Sequence, residues 1–116
     1  MSIRQSVFCK REDSALYHTN MSLTLENLQT FVKGYIEIVP LGIYEGQQVV
    51  MICNEEGKLR DDIRPSIAWT APGRGILDII FGDVVFCAQD GEALVGLYGR
   101  LKHFRAWLQA QGLRIN

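Results

Sequence analysis

The chain is short of net charge, cysteine, histidine and long apolar runs, and each shortage removes a class of function. Twelve Lys and Arg face thirteen Asp and Glu, a formal net charge of -1. Such a balance gives no overall attraction to nucleic acid or to an anionic membrane. Any anion-binding surface must then be a local patch, and nucleic acid is not an expected partner. The three cysteines, Cys9, Cys53 and Cys87, are odd in number and lack paired spacing, which argues against a disulfide framework. Cys53 and Cys87 each end an apolar run and read as small buried hydrophobes. His18 and His103 lie far apart in sequence, and neither has a cysteine or second histidine at ligand spacing. No cofactor or metal is expected. No apolar run approaches the roughly 20 residues of a membrane span, and residues 1–10 show no apolar core of a secretory signal. A cytoplasmic protein without a membrane partner is the expectation.

The 116 residues, 47% of them hydrophobic, suffice for one two-layer core and not for two. Residues 1–23 stand apart, as an N-terminal hairpin or arm, from a single domain over 24–116. Thr24 is a plausible N-cap. Leu25, Leu28, Phe31 and Val32 then share one helical face, with Gly34 at the C′ position after Lys33. Tyr35 to Val39 reads as a strand ended by Pro40-Leu41-Gly42. Gln47 to Cys53 reads as its antiparallel neighbour, leaving through the polar turn Asn54 to Lys58. Pro65 suits a first helical turn, so Pro65 to Thr70 is expected to be a short helix. Gly82 to Ala88 and Ala93 to Leu97 read as further strands. A final helix spans about Arg100 to Gln111, with Leu101, Phe104 and Leu108 at three- and four-residue spacing and Gly112 as its stop. The expected fold is α+β, a small antiparallel sheet with helices packed on one face.

Catalytic signatures are missing. No Gly-x-Ser-x-Gly motif is present and no cysteine is near a histidine in sequence. Gly42-Ile43-Tyr44 matches half of an endonuclease signature, but the second half does not follow it, and a three-residue match carries little weight. Glu55, Asp61, Asp78 and Asp83 form a carboxylate site only if the fold gathers them. Asn54 can cap its own turn, or project with Glu55 and Lys58 from a rigid sheet end beside Glu37 on the neighbouring strand. Trp69 and Arg74 flank a Pro-Gly-Arg-Gly loop. There Arg74 can fork onto a phosphate and Trp69 can stack on a base. Glu37, Asn54, Lys58, Trp69 and Arg74 are therefore the candidate ligand-binding residues. Trp107 lies off the Leu101/Phe104/Leu108 stripe, and an exposed tryptophan there predicts self-association.

Four stretches carry a family resemblance: the first helix running into Gly34-Tyr35-Ile36-Glu37, then Asn54-Glu55-Glu56-Gly57-Lys58-Leu59, then Arg64-Pro65-Ser66, then Asp78-Ile79-Ile80-Phe81-Gly82-Asp83-Val84-Val85. In that order they resemble the domain of unknown function 3846 family, over residues 24–97. Pro65-Ser66 stands where that family often has Pro-Asn. The resemblance implies a phage-encoded accessory protein in the cytoplasm of an infected cell. With no catalytic motif, the leading expectation is a non-enzymatic counter-defence protein that sequesters a small anionic ligand, such as a nucleotide immune signal. A protein–protein inhibitor of a host enzyme is the alternative, and a metal-dependent nuclease or nucleotide hydrolase is the second.

Overall fold

In the computed structural model, which describes residues 3–116, strict alternation along three strands builds an apolar cluster on each face of one sheet, where a single two-layer core was the expectation. On β4 (Gln47–Asn54), Val49, Met51 and Cys53 face one way, and Val50 and Ile52 the other. Phe8 is set against Val7 and Cys9 on β1 (Arg4–Lys10) in the same manner. On β7 (Val84–Asp90), Val84, Phe86 and Ala88 oppose Val85 and Cys87. A strand buried on both faces must be apolar on both, which is why these segments read as runs.

The main sheet is antiparallel, in the order β2-β1-β7-β4-β3, with β2 at Tyr17–Ser22 and β3 at Ile36–Tyr44. The short β8 (Ala93–Val95) pairs with the later part of β7, extending the line of β1. Of the two readings of the N-terminal segment, the hairpin is observed. It is no free arm, because β1 lies between β2 and β7. Residues 1–2 of that segment lie outside the described residues.

A second antiparallel sheet has the order β6-β5-β9, with β5 at Pro65–Ala71, β6 at Gly75–Phe81 and β9 at Leu113–Arg114. The expected helix at Pro65–Thr70 is therefore a strand. Pro65 is its first residue, where no ladder N–H is missed. Ile67 is buried, and Ala68 and Trp69 pair with β6 on one side and β9 on the other. Two distant partners outweigh a local helix-start signal.

The helices do not share a face. On one side of the main sheet, α1 (Leu25–Val32) buries Leu28 and Val32 against Val7, Cys9, Val50, Ile52, Val85 and Cys87. On the other, α2 (Leu101–Ala110) buries Phe104 and Leu108, together with Ile67, Ile80 and Leu113 of the second sheet. Both faces of the sheet are apolar, so each needs its own cover. Phe104 stacks on Phe8 with ring centroids 4.5 Å apart. Trp107 is half-buried, stacked on Phe104 at 5.8 Å and tilted against Tyr44 at 5.6 Å. The exposed tryptophan on which self-association was expected is thus part of the core margin.

Two local corrections bear on the site. The left-handed residue after α1 is Lys33, at φ 66°, and not Gly34. Gly34 is needed for space instead, because a Cβ there would lie 2.7 Å from Asn54 Nδ2. And β3 does not end at Pro40: it runs on to Tyr44 through a bulge between Pro40 and Gly42. As an edge strand it tolerates a proline.

Candidate functional site

β4 delivers Asn54 to the end of the main sheet, where the side chain is almost fully buried. Its Oδ1 accepts from the N–H of Glu56, two residues on, at 2.7 Å. Its Nδ2 donates to the Val32 carbonyl at the end of α1, at 2.9 Å. One amide thus closes its own turn and ties that turn to a helix end. The backbone adds a further tie, from Glu55 N to Tyr35 O at 2.9 Å.

Beyond Asn54 the chain forms a 3₁₀ turn at Gly57–Leu59 that leans on β6. Gly57 lies directly against Phe81, since a Cβ there would be 3.0 Å from the Phe81 Cβ. Both residues line a cleft of about 300 Å³ between the end of β4, the turn and β6. Glu37, Glu55, Glu56 and Asp78 line it with Lys58, and Cys53, Ile80 and Phe81 supply apolar lining. Lys58 Nζ is paired with Asp78 Oδ1. That bond, helped by the Ile79 N–H at 2.8 Å, holds the Asp78 carboxyl below the usual carboxylate range. Burial pushes the Cys53 thiol up to about 12, and Glu37, with its carboxylate and carbonyl each 3.9 Å from Sγ, adds to the shift. A thiol that stays protonated at neutral pH is no nucleophile.

Three of the five expected ligand-binding residues, Glu37, Asn54 and Lys58, therefore meet at one cleft. Trp69 and Arg74 do not line it. Trp69 packs against the main core and donates from Nε1 to the Gln111 carbonyl at 3.1 Å. Arg74 is exposed at the tip of the β5–β6 hairpin, a turn closed by its N–H on Ala71 O at 3.1 Å. Sequence reasoning places Asp78 only among scattered acids. Its signal was a lone carboxylate inside the apolar run 76–81.

Among the described residues, no three His, Cys, Asp or Glu side chains are grouped so as to hold a metal ion. Nor does any helix among them have the length and apolarity to cross a membrane.

A family model described as Domain of unknown function (DUF3846) matches residues 3–108. The chain belongs to this family. The matched span exceeds the resemblance read from residues 24–97, because it takes in the N-terminal hairpin and most of α2. No curated protein and no solved structure matches the chain. Within this DUF3846 domain the acidic cleft draws its walls from three segments of the matched span: the strand carrying Glu37, the Asn54–Leu59 turn and β6.

Proposed function

We propose that this DUF3846 protein is a phage-encoded, non-enzymatic counter-defence protein that works by holding a host protein, and that its docking surface is the acidic cleft. The observation that carries this reading is the imbalance of charge there. Four carboxylates line the cleft against a single lysine, and that lysine is already paired with Asp78. An anionic nucleotide would meet repulsion, whereas a Lys- or Arg-bearing peptide segment would be complementary. Leu59, 85% exposed, lies on the cleft wall, and Ile76 and Leu77 are exposed on the same strand as Asp78. They offer apolar contact next to the charges. β6 is also an edge strand of its sheet, and an extended segment can add to such an edge.

The test is affinity capture from the infected host with wild type and with a Glu55→Lys/Glu56→Lys variant of matched thermal stability. Both side chains are exposed, so the fold should tolerate the change. The expected result is a basic host protein retained by wild type and lost by the variant, with the contact mapped to the cleft by cross-linking. Native mass spectrometry of the purified protein supplies the contrary outcome. A nucleotide-sized mass retained by wild type, with no protein partner, would return the reading to sequestration of an immune signal.

A further inference from the structure

A second cleft, of about 470 Å³, carries as many cations as acids. Arg11, Lys33 and Arg64 wall it together with Glu12, Asp13 and Asp83. The three cations come from separate places: the turn after β1, the residue after α1, and the residue before β5. By count the charges cancel, but Asp83 is buried and half-buried Glu12 is engaged by a backbone N–H, which leaves Asp13 as the exposed acid of the lining. Asp83, only 7% exposed, accepts from Arg11 Nη1 and from the Glu12 N–H, each at 2.9 Å. Glu12 Oε1 accepts from the Arg64 N–H at 3.0 Å. Arg11 is held as well, donating from Nε to the Tyr17 hydroxyl at 3.1 Å and lying 4.4 Å over the Phe31 ring. Lys33 and Arg64 are different. Both are exposed, and neither side chain enters an ion pair among the described residues.

Lys33 also stands where its backbone prefers another residue. The left-handed conformation that ends α1 suits glycine, and a lysine there is disfavoured. Disfavoured backbone at a cleft is a reason to look for a role of the side chain.

We propose that this cleft is an anion site for a small molecule bearing two or more phosphate groups. Lys33 and Arg64 contact the phosphate oxygens, while Arg11, Glu12 and Asp83 form the rigid wall behind them. An ammonium supplies a compact charge and a guanidinium a planar fork, the pair of chemistries that grips adjacent phosphates. The volume lies within the range of small-molecule sites and exceeds what a single phosphate needs. The site shares no lining residue with the acidic cleft, so it stands whether or not a protein partner docks there.

The test is calorimetric titration at low salt with inorganic pyrophosphate, ADP and adenosine, on wild type, Lys33→Gly, Arg64→Ala and the Glu55→Lys/Glu56→Lys variant. Wild type should bind pyrophosphate or ADP and not adenosine. Equal affinity for the two would assign recognition to phosphate alone, and a preference for ADP would assign it to a nucleotide. Lys33→Gly and Arg64→Ala should each weaken binding by roughly tenfold or more. Lys33→Gly should keep or raise the melting temperature, because glycine fits the left-handed position. That separates a lost ligand contact from a damaged fold. The variant in the acidic cleft should bind the anions no less tightly than wild type. No binding of either phosphate compound, or binding unchanged in both Lys33→Gly and Arg64→Ala, would overturn the assignment.

Discussion

Asn54 shows how one side chain can hold a site in shape. Its amide satisfies the Glu56 N–H and the Val32 carbonyl together. Asn54→Ala strands both backbone groups, and leaving buried polar groups unpaired costs about 1–3 kcal/mol each. Urea unfolding should show a loss of about 2–6 kcal/mol for the variant, with the acidic cleft loosened as a consequence. Asp78 makes a different prediction. Its carboxyl is held low by Lys58, so the folded state binds that proton less readily than the unfolded chain does. Its contribution to stability is present above the ordinary carboxylate value and is lost as pH falls through the lowered one. The melting temperature of Asp78→Asn should therefore fall less steeply than that of wild type on acidification below the ordinary carboxylate value of 3.8. An identical acid limb in the two proteins would mean the ion pair contributes nothing, as many exposed pairs do.

At the scale of elements, α2 and the strand after it close the larger core. Phe104 is fully buried and touches Phe8, Tyr44, Phe86 and Trp107. Phe104→Ala should cost about 3–5 kcal/mol, read as a shift in the denaturation midpoint at unchanged slope. The turn between α2 and β9 is just as demanding. Gly112 adopts φ 95°, and a Cβ there would lie 2.1 Å from the Thr70 carbonyl oxygen. Thr70 N in turn donates to Gly112 O at 2.8 Å, stitching β5 to the chain that leaves α2. Loss of α2 would thus uncover the main sheet and remove the anchor of the second. A variant cut at Gly99 that kept full thermal stability would contradict this account.

The molecule as a whole keeps its three thiols out of reach. Cys9, Cys53 and Cys87 are free and buried, and burial pushes each up to about 12. Between the ordinary 9.0 and about 12 the unfolded chain gives up thiol protons that the folded protein retains. Stability is then fully present below the ordinary thiol value and declines as pH rises through that window. Unfolding midpoints measured at increasing alkaline pH should fall, and a thiol reagent should label the native protein slowly and the denatured protein at once. Rapid labelling of any one cysteine in the native state would show that its strand opens locally.

Local patterns alone determined much of the architecture. Thr24 accepts from Asn27 N at 3.2 Å and caps α1, as its position before an apolar helical face implies. Gly112 stops α2 and Asn54 turns on its own side chain, each through neighbours in sequence, and the apolar character of the 47–53 run marks it as a strand. The mixed α+β class and the family follow from such patterns. Tertiary structure decided what depends on distant partners. Pro65–Ala71 is a strand because β6 and β9 flank it. The helices lie on opposite faces because the β4 and β7 runs are apolar on both sides. Glu37 and Asn54 meet because β3 pairs with β4, and Lys58 joins them where the turn packs on β6, while Trp69 and Arg74 lie elsewhere. The second cleft joins Arg11, Lys33 and Arg64, which lie 22 and 31 residues apart along the chain. No periodicity or motif spans such separations, since only the closing of the sheet brings those segments within reach of one another.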